Sequence, residues 1–143
     1  MDWIDLGKAE AFVRALTPLS ESDLPLWAVF THACHETNFF KWVKADHNYF
    51  NFKVKDDLLE WESAAEGITF YMEVLNRKFA DAVRCPKCAH CFLWGVRKWN
   101  RENDLDALSQ FRELMRKRKF LQGEDRIMDI FSRVLKYTPI VDV

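Results

Sequence analysis

The chain has 143 residues, with 21 Lys+Arg against 22 Asp+Glu and a formal net charge of -1, which suffices for one domain with its own core. That balance supplies no global field for nucleic acid or an anionic membrane surface, and no apolar run approaches the roughly 20 residues needed to span a bilayer. Aromatic residues make up 15% of the chain while Gly and Pro number 4 each, which argues against a turn-rich all-β fold and a glycine-rich phosphate loop.

Leu6, Ala9, Phe12, Val13 and Leu16 fall at helical spacing and predict a first helix over 3–16. Thr17-Pro18 closes it, because the residue before a proline avoids the helical region. Ser22 or Asp23 is expected to cap a second helix with Pro25 in its first turn, and the stripe Leu26, Trp27, Phe30, Ala33, Cys34 carries it to about His35. Tyr49 to Lys55 alternates like a short strand, with Asp56-Asp57 as its turn. Ser63-Ala64-Ala65-Glu66 is a capping box opening a helix over 64–80, with Ile68, Met72, Leu75 and Phe79 inward. Amphipathic stripes predict two further helices over 104–119 and 124–137, separated by Gly123. With no repeat and no linker, residues 1–143 read as a single mainly α domain, carrying a small irregular or β-hairpin lobe after the second helix.

The chemistry concentrates in His35-Glu36-Thr37-Asn38-Phe39-Phe40 and His47-Asn48-Tyr49-Phe50-Asn51-Phe52-Lys53. A carboxylate at the end of a buried helix, beside an aromatic lobe, suits a general acid, since apolar burial disfavours its ionised form. Cleavage of a glycosidic bond needs such a proton donor at the leaving oxygen. These two stretches, with Trp61, Ser63, Gly67-Ile68 and Tyr71 following in order, resemble the glucosaminidase branch of the lysozyme-like superfamily of peptidoglycan hydrolases. The resemblance covers about residues 24–83. In that family a helix ends in a motif like His/Glu-Glu-Thr/Ser-Gly, and one like Asn-Asn/Tyr-Phe-Gly/Asn-Ile-Lys lies a dozen or so residues later.

The resemblance implies a lysozyme-like fold and cleavage of the β-1,4 glycan of bacterial peptidoglycan, with Glu36 as the catalytic acid and no cofactor required for catalysis. Asn48, Tyr49, Phe50, Asn51, Trp61 and Tyr71 would form the sugar-binding wall. Asp57, at the expected tip of the lobe beside Asp56, is the candidate second carboxylate. The chain departs from the family where Asn38 replaces its glycine and where Trp94-Gly95-Val96-Arg97-Lys98-Trp99 occupies the place of its Tyr-Ala-Thr-Asp-Pro stretch. The expected partners are peptidoglycan strands and not nucleic acid, and the expected state is a monomer. Met1-Asp2-Trp3-Ile4-Asp5 does not open a signal peptide. The expectation is a chain that stays cytoplasmic until released, or is delivered to the wall by a phage or secretion device.

Cys85-Pro86-Lys87-Cys88-Ala89-His90-Cys91 lies outside the resemblance. Cys85 and Cys88 have the spacing of a zinc half-site. Cys91 and Cys34 are the first choices to complete it, and His90 the next. Free thiols and a disulfide are the alternatives, and the zinc option supports a second reading, a non-catalytic helical interaction module. Arg112 and the run Arg116-Lys117-Arg118-Lys119 read as a solvated helix face.

Overall fold

A computed structural model describes residues 4–99 and 133–136. Helix α1 spans Leu6–Leu16, where Asp5 accepts a cap bond from the Lys8 amide at 3.1 Å and Ala9, Phe12, Val13 and Leu16 face inward. A 3-10 turn, Thr17–Leu19, contains the two residues expected to stop the helix. Helix α2 spans Leu26–Thr37. It begins later than the expected cap: the Ser22 hydroxyl is used by the preceding turn, donating to the Leu19 carbonyl and accepting from the Leu24 amide. Pro25 stands at the N-cap instead, and its carbonyl receives the Ala28 and Val29 amides.

Nine successive residues of α2, Leu26 to Cys34, are buried, so it is the central helix of the described core. It ends in three left-handed residues, Asn38 (φ 48°), Phe39 (φ 59°) and Phe40 (φ 67°). Asn tolerates that region, whereas a Phe there costs about 1–2 kcal/mol. The cost is offset because Phe40 is fully buried and its amide donates to Thr37 Oγ1 at 2.8 Å, while the Phe39 carbonyl accepts from the Asp5 amide at 3.0 Å.

The lobe contains a minimal hairpin, β1 (Lys53–Val54) antiparallel to β2 (Asp57–Leu58), with Lys53 opposite Leu58 and Val54 opposite Asp57. The strand expected from Tyr49 is cut short by Asn51, whose φ of 58° turns the chain and sends Tyr49 and Phe50 into the core. The turn falls one residue earlier than expected, with Lys55 at φ 57° ahead of Asp56.

Helix α3 (Ala64–Lys78) starts on the expected capping box: Ser63 Oγ accepts from the Glu66 amide, and the Glu66 carboxylate accepts from the Glu62 amide. Gly67 lies against the His47 carbonyl so closely that any Cβ would collide with it. A 3-10 turn (Ala80–Val83) leads to α4 (Ala89–Gly95), an element the spacing did not predict. Its cap is the Cys88 thiol, which accepts from the Cys91 amide at 3.3 Å.

α1 packs on α3 and α2 on α4. The side chains meet around Phe12, whose ring lies 5.3 Å from Phe40, 5.0 Å from Tyr49 and 6.0 Å from Phe50. The described residues are mainly helical with one two-stranded sheet, and no helix among them is long and apolar enough to cross a membrane. The helix expected over 104–119 and the basic run lie outside the described residues. Of the one expected over 124–137, residues 133–136 are described, with Leu135 buried in the core.

Candidate active site

Glu36 is the penultimate residue of α2, and its side chain is only 6% exposed although the residue as a whole is half-buried. Helical spacing puts His32 one turn earlier on the same face, with Nε2 3.8 Å from Glu36 Oε1. The two do not form an ion pair. Burial first, and the neighbouring His35 second, lower the His32 pKa to about 3, so its ring is neutral at ordinary pH.

On the other side of that ring, Nδ1 lies 2.7 Å from the Tyr71 hydroxyl. Burial, and after it the Glu36 charge, keep the phenol protonated by raising its pKa well above the ordinary value. The tautomer in which Tyr71 donates to Nδ1 leaves the imidazole proton on Nε2, turned toward the Glu36 carboxyl. Tyr71 and His32 are thus hydrogen-bonded between α3 and α2, and the Glu36 carboxyl lies beyond them at 3.8 Å, past hydrogen-bonding distance. The lobe is tied to the same spot by Asn51, whose side-chain amide donates to the Glu36 carbonyl at 2.8 Å.

The residues expected to form a sugar wall divide into two groups. Asn48, Tyr49, Phe50 and Tyr71 are 1–4% exposed, so they offer no face to a sugar, and their expected role is corrected to bracing and core. The Asn48 amide donates to the carbonyls of Phe52 and Leu59, both at 2.9 Å, while its oxygen accepts from the Phe52 amide at 3.0 Å. It therefore holds the hairpin closed. Tyr49 packs on Phe12 and Phe40, and burial pushes its pKa up to about 12. Phe50 lies against Tyr71 with ring centroids 3.7 Å apart. Asn51 and Trp61 are only half-buried. Trp61 sits with Phe52 and Phe70 in a partly open aromatic group, at 6.1 Å and 5.1 Å. Asp57 is exposed, in the closing pair of the hairpin.

Cys85, Cys88 and Cys91 are gathered at the start of α4, where the Cys91 thiol hydrogen-bonds to the other two and is pushed up to about 12 as a result. The backbone amides of Cys91 and His90 hold the Cys88 thiol below its ordinary value. Cys34 does not join them: it is 1% exposed on α2, with burial raising its thiol. All four are free thiols. Among the described residues no group of three or more His, Cys, Asp or Glu side chains is disposed to hold a metal ion, so the expected four-cysteine set is not assembled.

Two contributors to this region carried only a weak signal in the sequence. His32 could have been found from its i,i+4 relation to Glu36, and Trp99 comes from a segment of little periodicity. Phe79, expected on the inner face of the third helix, stands just past its end and stacks 4.8 Å from Trp99. Trp99 donates its indole N–H to the Phe50 carbonyl at 3.1 Å and meets His32 edge-on at 4.7 Å. Comparison with family models, curated proteins and solved structures returned no match.

Proposed function

We propose that the chain is a lysozyme-like glycoside hydrolase that cuts the β-1,4 glycan of peptidoglycan, with Glu36 as general acid. One observation carries this reading: a carboxyl group at the C-terminal end of the central helix, 6% exposed and backed by His32 and Tyr71. A general acid must hold its proton until the glycosidic oxygen takes it, and a dry, preorganised surrounding is how proteins tune a carboxyl for that task. The Tyr71–His32 pair lies behind the carboxyl, and Asn51 ties the backbone carbonyl of Glu36 to the lobe. Glu36→Gln keeps the shape and removes the proton. It is expected to cut lysis of purified cell walls by at least ~10²-fold with an unchanged helical circular dichroism spectrum. Lysis at the wild-type rate would exclude Glu36 as the acid.

The second reading, a non-catalytic helical module stabilised by zinc, draws support from the gathering of Cys85, Cys88 and Cys91 at the start of α4. These thiols would have to turn toward a common centre, and bound metal would then add directly to folding stability. The expected outcome is about one zinc per chain and a lower melting temperature after chelation. A zinc content near zero by elemental analysis ends this reading.

A further inference from the structure

Two concavities adjoin one another where the lobe, the end of α3 and the segment after α4 meet. The first, about 600 Å³, is rimmed by Lys53, Lys78 and Lys98 and floored by Phe52, Phe79 and Trp99. The second, about 390 Å³, shares Lys78, Phe79 and Lys98 with it and adds Arg77 and Arg97. Its acid, Asp81, is already paired with Arg84. The two make one groove whose lining, among the described residues, holds five cations and one engaged carboxylate, on a chain whose formal net charge is -1. Of the five, Arg97 is stacked on Trp94 and donates to its carbonyl. The three lysines are exposed. Phe79 and Trp99 also line the groove, their rings stacked on each other 29° from parallel.

We propose that this groove binds an amino-sugar strand that carries carboxylates, with the strand's apolar sugar faces against the aromatic side chains that line it and its carboxylates at Lys53, Lys78 and Lys98. The inference rests on the hydrolase reading for the identity of the strand, and it names the part of the substrate that the groove recognises. Lysine ammonium groups meet carboxylates as movable point charges, which suits acidic branches spaced along a flexible polymer. Two concavities in series fit more than one sugar unit. Asn51 lines the first concavity and also bonds the Glu36 backbone carbonyl, so the groove adjoins the residue that contacts the end of α2. Single-stranded nucleic acid also favours basic grooves with aromatic floors. The overall charge argues against it, because nucleic-acid binding draws its strength from many phosphate contacts and a long-range field.

The test measures equilibrium binding to the full chain carrying Glu36→Gln, which leaves the ligand intact. Three probes are used: soluble uncrosslinked peptidoglycan strands bearing their peptide carboxylates, neutral chitin oligosaccharides, and a single-stranded oligonucleotide. The acidic strand is expected to bind more tightly than the other two and to weaken with added salt. Lys78→Glu with Lys98→Glu should weaken it roughly tenfold or more, like other reversed rim charges, while chitin binding stays as it was. Lys78→Arg with Lys98→Arg should restore most of the affinity, which separates lost charge from lost folding. Acidic-strand binding that ignores the charge reversal overturns the proposal, and so does tighter binding of the oligonucleotide. If wild-type protein cuts no glycan yet the charge-dependent binding holds, the hydrolase reading falls and the groove assignment stands. Cleavage without charge-dependent binding overturns the groove assignment and leaves the hydrolase reading in place.

Discussion

Asn48 illustrates how one side chain can be drawn to the right place and serve another end. The resemblance implies a sugar contact for it, yet each of its polar atoms is turned onto the lobe's own backbone, at Phe52 and Leu59. A buried amide in that position replaces strand pairing in a hairpin that has only two residues on each side. Asn48→Asp keeps the shape but sets an oxygen where a donor must face two carbonyls. At about 1 kcal/mol for each hydrogen bond and more for an unpaired buried group, it should lower stability by roughly 3 kcal/mol. Urea denaturation checks this, and an unchanged midpoint would mean that Asn48 does not brace the lobe. Asn38 is a second instance. It stands where the resembled family has glycine, and its φ of 48° gives the reason, since Asn is the residue after Gly that best accepts a left-handed conformation.

At the scale of the element, α2 concentrates the consequences of burial. A helix with nine successive buried residues carries His32 into a site where protonation is strongly disfavoured. The groups around its ring are Glu36 and His35 on α2 and Tyr71 on α3. The His32 pKa falls from its ordinary value of 6.5 to about 3 on folding. Between those values the unfolded chain takes up a proton that the folded chain refuses, so stability falls as pH drops from 6.5 toward 3. The full effect is on the order of 4–5 kcal/mol by linkage. Melting temperature followed from about pH 7 to about pH 4 should therefore decline steeply, and more shallowly in His32→Gln. Equal slopes in the two proteins would mean that His32 titrates normally. Helix α4 differs, because a thiol caps it and its seven residues are too few to display a period.

For the whole molecule, local pattern determined a good deal. The stripe of α1, the Ser63–Glu66 capping box and the irregular lobe after α2 follow from periodicity and turn chemistry, and all three are where the residues predicted them. Glu36 at the end of a buried helix was legible for the same reason, because the apolar stripe Leu26, Trp27, Phe30, Ala33, Cys34 runs out just before it. Its partners were not. His32 became a neighbour of Tyr71 only when α2 and α3 packed, and the two are 39 residues apart in the chain. Burial of Tyr49 and Phe50 goes with Asn51 adopting a left-handed φ, a backbone choice that alternation of residue types does not encode. The groove of lysines over Phe79 and Trp99 assembles the lobe, the end of α3 and the segment after α4, with Lys53 and Lys98 45 positions apart in the sequence. Composition showed that aromatic residues are abundant, and large rings bury much apolar surface, but it did not choose between a core and an open cleft for them. Only the tertiary structure decided which rings fill the core and which remain open, since that choice depends on how non-adjacent elements close over one another.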